Sequence, residues 1–164
     1  GSLMDVVMQS KLKLPNLVIL DRVTDPHNVG AILRSAEVFG ASAVVGTRHH
    51  SAPETGALAK AASGALERQP YIRVKNLSDS ILELKKIGFV ALGLDATGSS
   101  DISDAAKLYS DRPIALILGA EGPGLRSRTK EVADALIKIE PLSSFGSLNV
   151  SNAAAVGLYS ITAV

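Results

Sequence analysis

Five short runs of consecutive apolar residues alternate along the chain with segments of helical periodicity. The apolar runs are residues 17–20, 43–45, 89–94, 114–118 and 135–139. Most of them are continuous rather than alternating, as strands must be when helices cover both faces of their sheet. Helical periodicity predicts helices over residues 29–39, 54–65 and 78–87 and from Asn149 to the C-terminus. This order predicts an α/β domain with a mostly parallel sheet covered by helices.

Composition limits the kinds of site that the chain can carry. The chain has 164 residues, 46% hydrophobic and 20% charged, which suits one globular domain. It lacks cysteine, which excludes disulfides, thiol nucleophiles and zinc–thiolate centres. With only three histidines, a histidine-only zinc site is also not expected, and we expect no metal. The apolar runs are too short to span a bilayer, so we expect a cytoplasmic protein with no membrane contact. Residues 1–3 resemble an expression remnant, which leaves residues 4–164 as a single expected domain.

The charge balance does not by itself indicate a nucleic-acid-binding protein. The chain has 17 basic and 16 acidic residues, and its formal net charge is +1. Proteins that bind nucleic acid by charge alone usually have a strong basic excess. Aromatic side chains are also scarce, which argues against a surface that stacks single-stranded bases. A nucleic-acid site on this chain would therefore have to be local, or be completed by something outside it.

A first polar motif follows the first predicted strand, at the edge where open α/β sheets bind ligands. Residues 25–34 read Asp-Pro-His-Asn-Val-Gly-Ala-Ile-Leu-Arg. Asp25 and Pro26 are typical of a helix N-terminus, because an aspartate caps it and a proline fits its first turn. Asn28 then lies near the N-terminus of this helix, and Arg34 lies less than two turns further along it. Alone, the motif is more typical of a capped helix with one solvated arginine than of a site.

A second motif, Gly-Ala-Glu-Gly-Pro-Gly, spans residues 119–124 after the fourth apolar run. Its three glycines allow positive φ and close approach of the backbone to a ligand. The spacing matches neither the dinucleotide fingerprint nor the P-loop. Glu121 is notable because an acid between glycines rarely serves packing. The basic residues that follow, either a phosphate-facing patch or a solvated charge run, are Arg126, Arg128 and Lys130.

A third motif, Ser-Leu-Asn-Val-Ser-Asn, spans residues 147–152 and opens the last predicted helix. Ser147 and Asn149 are residue types that cap helix N-termini. Alone, the motif indicates an N-cap with spare polar residues. None of the histidines has a hydrolase signature around it, so no Ser-His-Asp triad is indicated.

The three motifs, in this order, resemble those of the SpoU–TrmH family of RNA ribose 2′-O-methyltransferases in the SPOUT superfamily. That family has Asp-Pro-x-Asn-x-Gly-x-x-x-Arg, then Gly-x-Glu-Gly-x-Gly after a strand, then Ser-Leu-Asn-Val-Ser before the last helix. The resemblance covers residues 17–164. Residues 51–65 are more similar to the branch that methylates guanosine ribose in large-subunit ribosomal RNA than to the transfer-RNA branches.

The resemblance implies a fold, a cofactor and a quaternary structure. Family members fold as an α/β domain with a C-terminal trefoil knot, bind S-adenosylmethionine through backbone groups of the knotted loops, and act as homodimers. The corresponding cofactor-binding positions here are Leu94, Gly119, Ile139 and Leu148. One departure is Pro141, which stands where relatives continue an Ile-Pro-Met motif and which has no N–H to donate.

The resemblance also implies the catalytic residues. Arg34 takes the central place, and the residues expected around it are Asn28, Glu121, Ser147 and Asn149. Because an arginine side chain keeps its proton in proteins, we favour a phosphate clamp that stabilises the ionising 2′-hydroxyl over a general base. The asparagines are expected to fix loop geometry. Glu121 is expected to orient Arg34 or Asn28, and Ser147 to contact the ribose or a phosphate.

Three other interpretations remain open at this stage. The substrate could be transfer RNA, the chain could be a catalytically silent RNA-binding relative, or it could be a Rossmann-like nucleotide-binding enzyme. In the ribosomal branch a separate N-terminal RNA-binding domain usually precedes the catalytic one, and we expect it to be absent here. His49 and His50, beside Arg48, form either a phosphate contact or an ordinary exposed loop.

Overall fold

The structure, a computed structural model, describes residues 2–10, 14–120, 122–141 and 148–163. Within these residues the strands are β1 (Leu17–Asp21), β2 (Ala43–Thr47), β3 (Tyr71–Val74), β4 (Val90–Leu94), β5 (Ser100–Asp101), β6 (Ile114–Gly119) and β7 (Ala135–Lys138). They form one sheet in the order β3-β2-β1-β6-β4-β7-β5, and all neighbouring pairs are parallel. The predicted α/β class and the mostly parallel sheet are confirmed.

Helices cover both faces of this sheet. They are α1 (Leu3–Gln9), α2 (Pro26–Val38), α3 (Gly56–Ala62), α4 (Ala65–Arg68), α5 (Leu77–Lys86), α6 (Ile102–Leu108), α7 (Ser127–Val132) and α8 (Val150–Thr162). One core cluster joins the sheet to α2, α3, α4, α6 and α8, and a second joins it to α1, α5 and α7. No helix in the described part of the chain is both long enough and apolar enough to cross a membrane.

Burial on both faces explains why the strands are continuously apolar. All five residues of β1 are buried, and so are all five of β2. Successive side chains of a strand point to opposite faces. Accordingly, Val18 and Leu20 pack in the first cluster, whereas Leu17 and Ile19 pack in the second.

Two helix boundaries differ from the prediction for identifiable reasons. Periodicity alone predicts the first of these helices over residues 29–39, but the helix begins at Pro26, which confirms the N-terminus indicated by Asp25 and Pro26: the Asp25 carboxylate accepts a hydrogen bond from the His27 N–H at 2.9 Å. The helix predicted over residues 54–65 was wrong at its C-terminal end. Ser63 and Gly64 have φ of 51° and 86°, so left-handed backbone separates α3 from α4.

Several elements were not predicted because their apolar signal is short or incomplete. The edge strand β3 is only half-buried, and β5 has two residues. The helix α1 lies where no strong pattern was visible, but Leu3 and Val7 are buried one turn apart in the second cluster. Ser2 caps that helix by accepting from the Asp5 N–H. Residues 2 and 3, set aside above, therefore take part in the described fold.

The carboxyl edge of the sheet gathers the segments that carry the three motifs. A helix that follows a parallel strand starts at the carboxyl end of that strand. Helix α2 starts there after β1, and the loop containing Gly122 and Gly124 follows β6. The end of α8 lies beside Asn16 and Ile114, at the opposite edge, so the start of α8 also lies at the carboxyl edge.

Candidate functional site

Three of the four predicted cofactor-binding residues lie at the carboxyl ends of adjacent strands. Leu94 ends β4 and pairs in register with Leu118 of β6 and Ile137 of β7. Gly119 ends β6, and Ile139 directly follows β7. The structure thus brings Leu94, Gly119 and Ile139 to one site, although they are far apart in sequence.

The loops at this site pack backbone against backbone. A Cβ atom at Gly119 would lie 2.3 Å from the carbonyl carbon of Gly124, and one at Gly98 would lie 2.5 Å from that of Ile137. Gly122 and Gly124 have φ of 82° and 70°, which confirms the expected left-handed glycine turn. Gly119 itself has no positive φ. Position 119 therefore requires glycine only because the Gly124 backbone lies so close to it.

Replacement of Gly119 by alanine is expected to lower the free energy of unfolding by about 2 kcal/mol, because a backbone segment must move to admit the new methyl group. Urea denaturation followed by circular dichroism measures this change. Gly56→Ala is the matched control, since no atom lies within 4 Å of the added Cβ and no positive φ is involved. Equal stability of the two variants would contradict the prediction.

The loop after β4 carries a fixed negative charge beside the glycine turn. The Asp95 carboxylate accepts hydrogen bonds from the Thr97 hydroxyl and from the Thr97 N–H. These bonds, with Lys130 at 3.9 Å, hold the pKa of Asp95 below its ordinary value. The carboxylate oxygen would lie 3.2 Å from a Cβ at Gly124, so the charged group borders the turn directly.

Asn149 and Leu148 lie at the start of α8. The Asn149 side-chain oxygen accepts from the Asn152 N–H at 2.9 Å and from the Ser151 hydroxyl at 2.8 Å. Asn149 is therefore the N-cap of α8. Leu148, the residue before it, is exposed.

Asn28 and Arg34 lie on α2, which packs beside α8. Asn28 is half-buried in the first turn and Arg34 is exposed. The rise of an α-helix places Arg34 about 9 Å further along the axis, but helical side chains lean toward the N-terminus and so toward the carboxyl edge. Among the described residues, none of the ion pairs engages the Arg34 guanidinium.

Sequence reasoning missed the strongest polar contact at this edge, which joins Asp21 to Arg126. The Asp21 carboxylate is fully buried at the end of β1 and pairs in register with Gly119. It accepts from the Arg126 Nε at 2.7 Å and from the Arg126 N–H at 2.8 Å. This pair ties the loop after β6 to β1. The sequence did contain a signal for this pair, namely an aspartate at the end of a continuous apolar strand. A carboxylate at such a position is rarely buried without a partner, so a basic partner could have been expected.

Two of the predicted catalytic residues, Glu121 and Ser147, lie outside the described residues. Within the described ranges, no group of three or more histidine, aspartate or glutamate side chains is placed to hold a metal ion.

Comparison with known proteins agrees with this arrangement. Residues 15–159 match the model of the SpoU rRNA Methylase family. The chain is 43% identical over 145 residues to a protein of Vibrio parahaemolyticus named 23S rRNA (guanosine-2′-O-)-methyltransferase RlmB. That alignment covers 88% of this chain and 58% of the relative, so the chain spans less than two thirds of its relative's length.

Solved structures give the same result for the fold. The SpoU methyltransferase AviRb from Streptomyces viridochromogenes, in complex with AdoMet, superposes with a TM-score of 0.84 at 27% identity, over 99% of this chain and 62% of that one. An AdoMet-bound rRNA methyltransferase from Sinorhizobium meliloti gives 0.83 at 28% identity, over 95% and 59%. The family match covers most of the chain and includes all three motifs. The chain belongs to the SpoU rRNA methylase family.

Proposed function

We propose that this chain transfers a methyl group from S-adenosylmethionine to a ribose 2′-hydroxyl in RNA, in the cytoplasm. The observation that carries the proposal is the convergence of the family's motif residues, distant in sequence, on one edge of the sheet: Leu94, Gly119 and Ile139 on strand ends, with Asn28 and Asn149 at the starts of α2 and α8. A guanosine of large-subunit ribosomal RNA is the favoured target, because the Vibrio relative is named for that reaction.

The site fits a ligand that is held mainly by backbone groups. The close contacts at Gly119 and Gly98 leave main-chain rather than side-chain atoms at the loop junctions. When bound, S-adenosylmethionine supplies a methyl group activated by a positively charged sulfur, which leaves as a neutral thioether. The backbone at Leu94, Gly119, Ile139 and Leu148 would hold it.

The chain itself must align the nucleophile and stabilise the charge that develops on the ribose oxygen. Arg34 is free for this task among the described ion pairs, and its guanidinium can donate two parallel hydrogen bonds to a phosphate. A cation held beside the 2′-hydroxyl favours the loss of its proton, which passes to solvent water as the oxygen attacks the methyl group. Asn149 fixes the start of α8 as its N-cap, which is a positioning role. Glu121 and Ser147 complete the proposed catalytic set.

The proposal includes a C-terminal trefoil knot and a homodimer, both from the family resemblance. Such knots are rare exceptions to unthreaded chains. For the dimer, support comes from Val38, Val156 and Tyr159, large apolar side chains that α2 and α8 leave exposed. Exposed apolar groups on two packed helices are typical of an interface. Arg34 lies one turn before Val38 on α2, so the catalytic face would border the second subunit.

Thermal unfolding with four ligands in parallel tests the cofactor. S-adenosylhomocysteine and S-adenosylmethionine at 100 times their dissociation constants are expected to stabilise the chain by about 2.7 kcal/mol. For a domain of this size that corresponds to roughly 5–10 °C in Tm. NAD and ATP serve as controls and are expected to have no effect. A shift with NAD or ATP alone would instead favour the Rossmann-like interpretation.

Methyl transfer itself is tested with radiolabelled S-adenosylmethionine and transcripts of large-subunit ribosomal RNA and transfer RNA. A 2′-O-methyl group blocks alkaline cleavage at the adjacent phosphodiester, because the 2′-hydroxyl is the nucleophile of that cleavage. Label is therefore expected in alkali-resistant dinucleotides from the ribosomal transcript. Label from the transfer-RNA transcript would reassign the substrate. Adenosyl-ligand binding with no label in either RNA would favour a silent relative.

A further inference from the structure

A cavity at the carboxyl edge lies outside the strand ends and loops proposed to bind the cofactor. It has a volume of about 350 Å³ and lies over the ends of β1, β2 and β3. Its basic walls come from four segments: Arg22 after β1, His49 and His50 after β2, Lys75 after β3, and Arg126 with Arg128 at the start of α7. We call it the basic cleft.

The basic cleft concentrates positive charge in a nearly neutral chain. Four arginine or lysine residues line it, against one carboxylate, Asp79. The chain as a whole has 17 basic and 16 acidic residues, so the remainder carries a slight acidic excess. Two of the four are already paired with carboxylates, Arg126 with the buried Asp21 and Arg128 with the exposed Glu131, whereas Arg22 and Lys75 take part in none of the ion pairs described. Basic groups that several segments bring together beside a single lining carboxylate are typical of an anion site.

Folding fixes the walls of the cleft. Arg126 is held by the buried Asp21 carboxylate through two hydrogen bonds. Arg22 has a φ of 61°, a left-handed conformation that is uncommon for a residue with a side chain. On the second strand, the Thr47 hydroxyl accepts from the His50 N–H at 3.1 Å. The loops that carry the basic side chains are thus set by internal contacts.

The lining favours a phosphodiester backbone over a base or a bound nucleotide. No phenylalanine, tyrosine or tryptophan among the described residues lines the cleft, and Leu77 is the only large apolar side chain among them, so the cleft has no broad aromatic surface for a row of stacked bases. A glycine-rich phosphate loop is also lacking in this part of the sequence. Several basic side chains spread along a groove are instead the arrangement that follows repeated phosphates.

The geometry points to the basic cleft as the site where this chain binds the RNA backbone next to its target nucleotide. This inference rests on the proposed function for the nature of the polymer. Because β1 lies between β2 and β6, the cleft lies beside the strand that ends at Gly119. Asp21 pairs in register with Gly119 and also holds Arg126, so one residue links the two sites. RNA held by the cleft would present an adjoining ribose to Arg34 and the motif loops.

The test compares two triple variants with the same change of net charge. The cleft variant replaces Arg22, Lys75 and Arg128 by glutamine, all exposed residues; Arg126 is left intact because it partners Asp21. The control variant replaces Lys60, Lys86 and Lys107 by glutamine; these three residues are exposed and lie outside the cleft. Fluorescence anisotropy then measures the binding of a labelled hairpin of large-subunit ribosomal RNA over a range of salt concentrations.

The cleft variant is expected to bind this RNA about tenfold more weakly at low salt, with a salt slope reduced by about 2, since each lost phosphate contact removes about 0.7 from the slope for a single strand. The control variant is expected to bind within twofold of the unmodified chain. Equal weakening in both variants, or unchanged binding by the cleft variant, would overturn the inference. So would undetectable binding by the unmodified chain.

A parallel titration with S-adenosylhomocysteine separates this inference from the proposed function. If the unmodified chain and both variants bind that ligand equally, and the cleft variant binds RNA as tightly as the unmodified chain, the cleft inference fails and the methyltransferase proposal stands. If S-adenosylhomocysteine does not bind to any of the three chains, but RNA affinity falls in the cleft variant and not in the control variant, the cleft stands as an RNA site and the proposed reaction fails.

Discussion

Replacement of Arg34 by alanine is expected to lower the rate of methyl transfer by about a hundredfold or more, the usual loss when a preorganised donor to a developing oxyanion is removed. The side chain is exposed and takes part in none of the ion pairs described, so its removal should leave the fold intact. Single-turnover incorporation of labelled methyl into RNA measures the rate. Binding of S-adenosylhomocysteine and the Tm should stay close to those of the unmodified chain.

Arg34→Lys distinguishes a phosphate clamp from a simple positive charge. Lysine keeps the charge but loses the planar fork that binds a phosphate through two hydrogen bonds. We expect the lysine variant to stay well below the normal rate. Near-normal turnover would contradict both the clamp and the general-base interpretation.

The matched control for Arg34 is Arg68→Ala. Arg68 is also an exposed arginine, and it contacts the same helix through a salt bridge of 2.8 Å to Glu37. An exposed pair of this kind contributes little to stability, because water screens the two charges. The control is therefore expected to lose a little stability and no activity, which would separate the loss at Arg34 from a general disturbance of α2.

The strands that support the site could be predicted because they are buried on both faces. Each of the five apolar runs of the sequence coincides with a strand, and the structure extends several of them by one or two residues. The edge strands β3 and β5 gave no such signal because they are short and incompletely buried. A continuous apolar run thus reports a strand buried on both faces, and this signal is lost in short edge strands such as β3 and β5.

The motifs could be located from sequence, but not the contacts between strands that set their geometry. Asp21 and Arg126 are 105 positions apart and meet only because β1 and β6 are neighbours in the sheet. Likewise, the basic cleft forms from loops after β1, β2 and β3 together with the start of α7. Strand order, which no local pattern encodes, decides which loops become neighbours.

The Asp21–Arg126 pair gives the second large expected effect, this time on stability. Arg126→Met removes the guanidinium but keeps an apolar stem of similar length, and it leaves a fully buried carboxylate with one backbone N–H as its remaining donor described. Loss of one partner of a buried ion pair costs about 3–5 kcal/mol. Because Arg126 is 39% exposed and the backbone bond survives, we expect about 3 kcal/mol. Urea denaturation, with an unchanged m-value, measures it.

A second substitution tests whether the buried charge is the cause. In Asp21→Asn/Arg126→Met the buried group is neutral, so the penalty for an unpaired charge disappears, although the hydrogen bonds are still lost. The double variant is therefore expected to be more stable than Arg126→Met alone, and the double-mutant cycle to give a coupling energy of about 1–2 kcal/mol. Additive losses would mean that Arg126 stabilises the loop by packing alone. In that case Asp21 would not be the anchor that holds the glycine loop and the basic cleft on the same edge of the sheet.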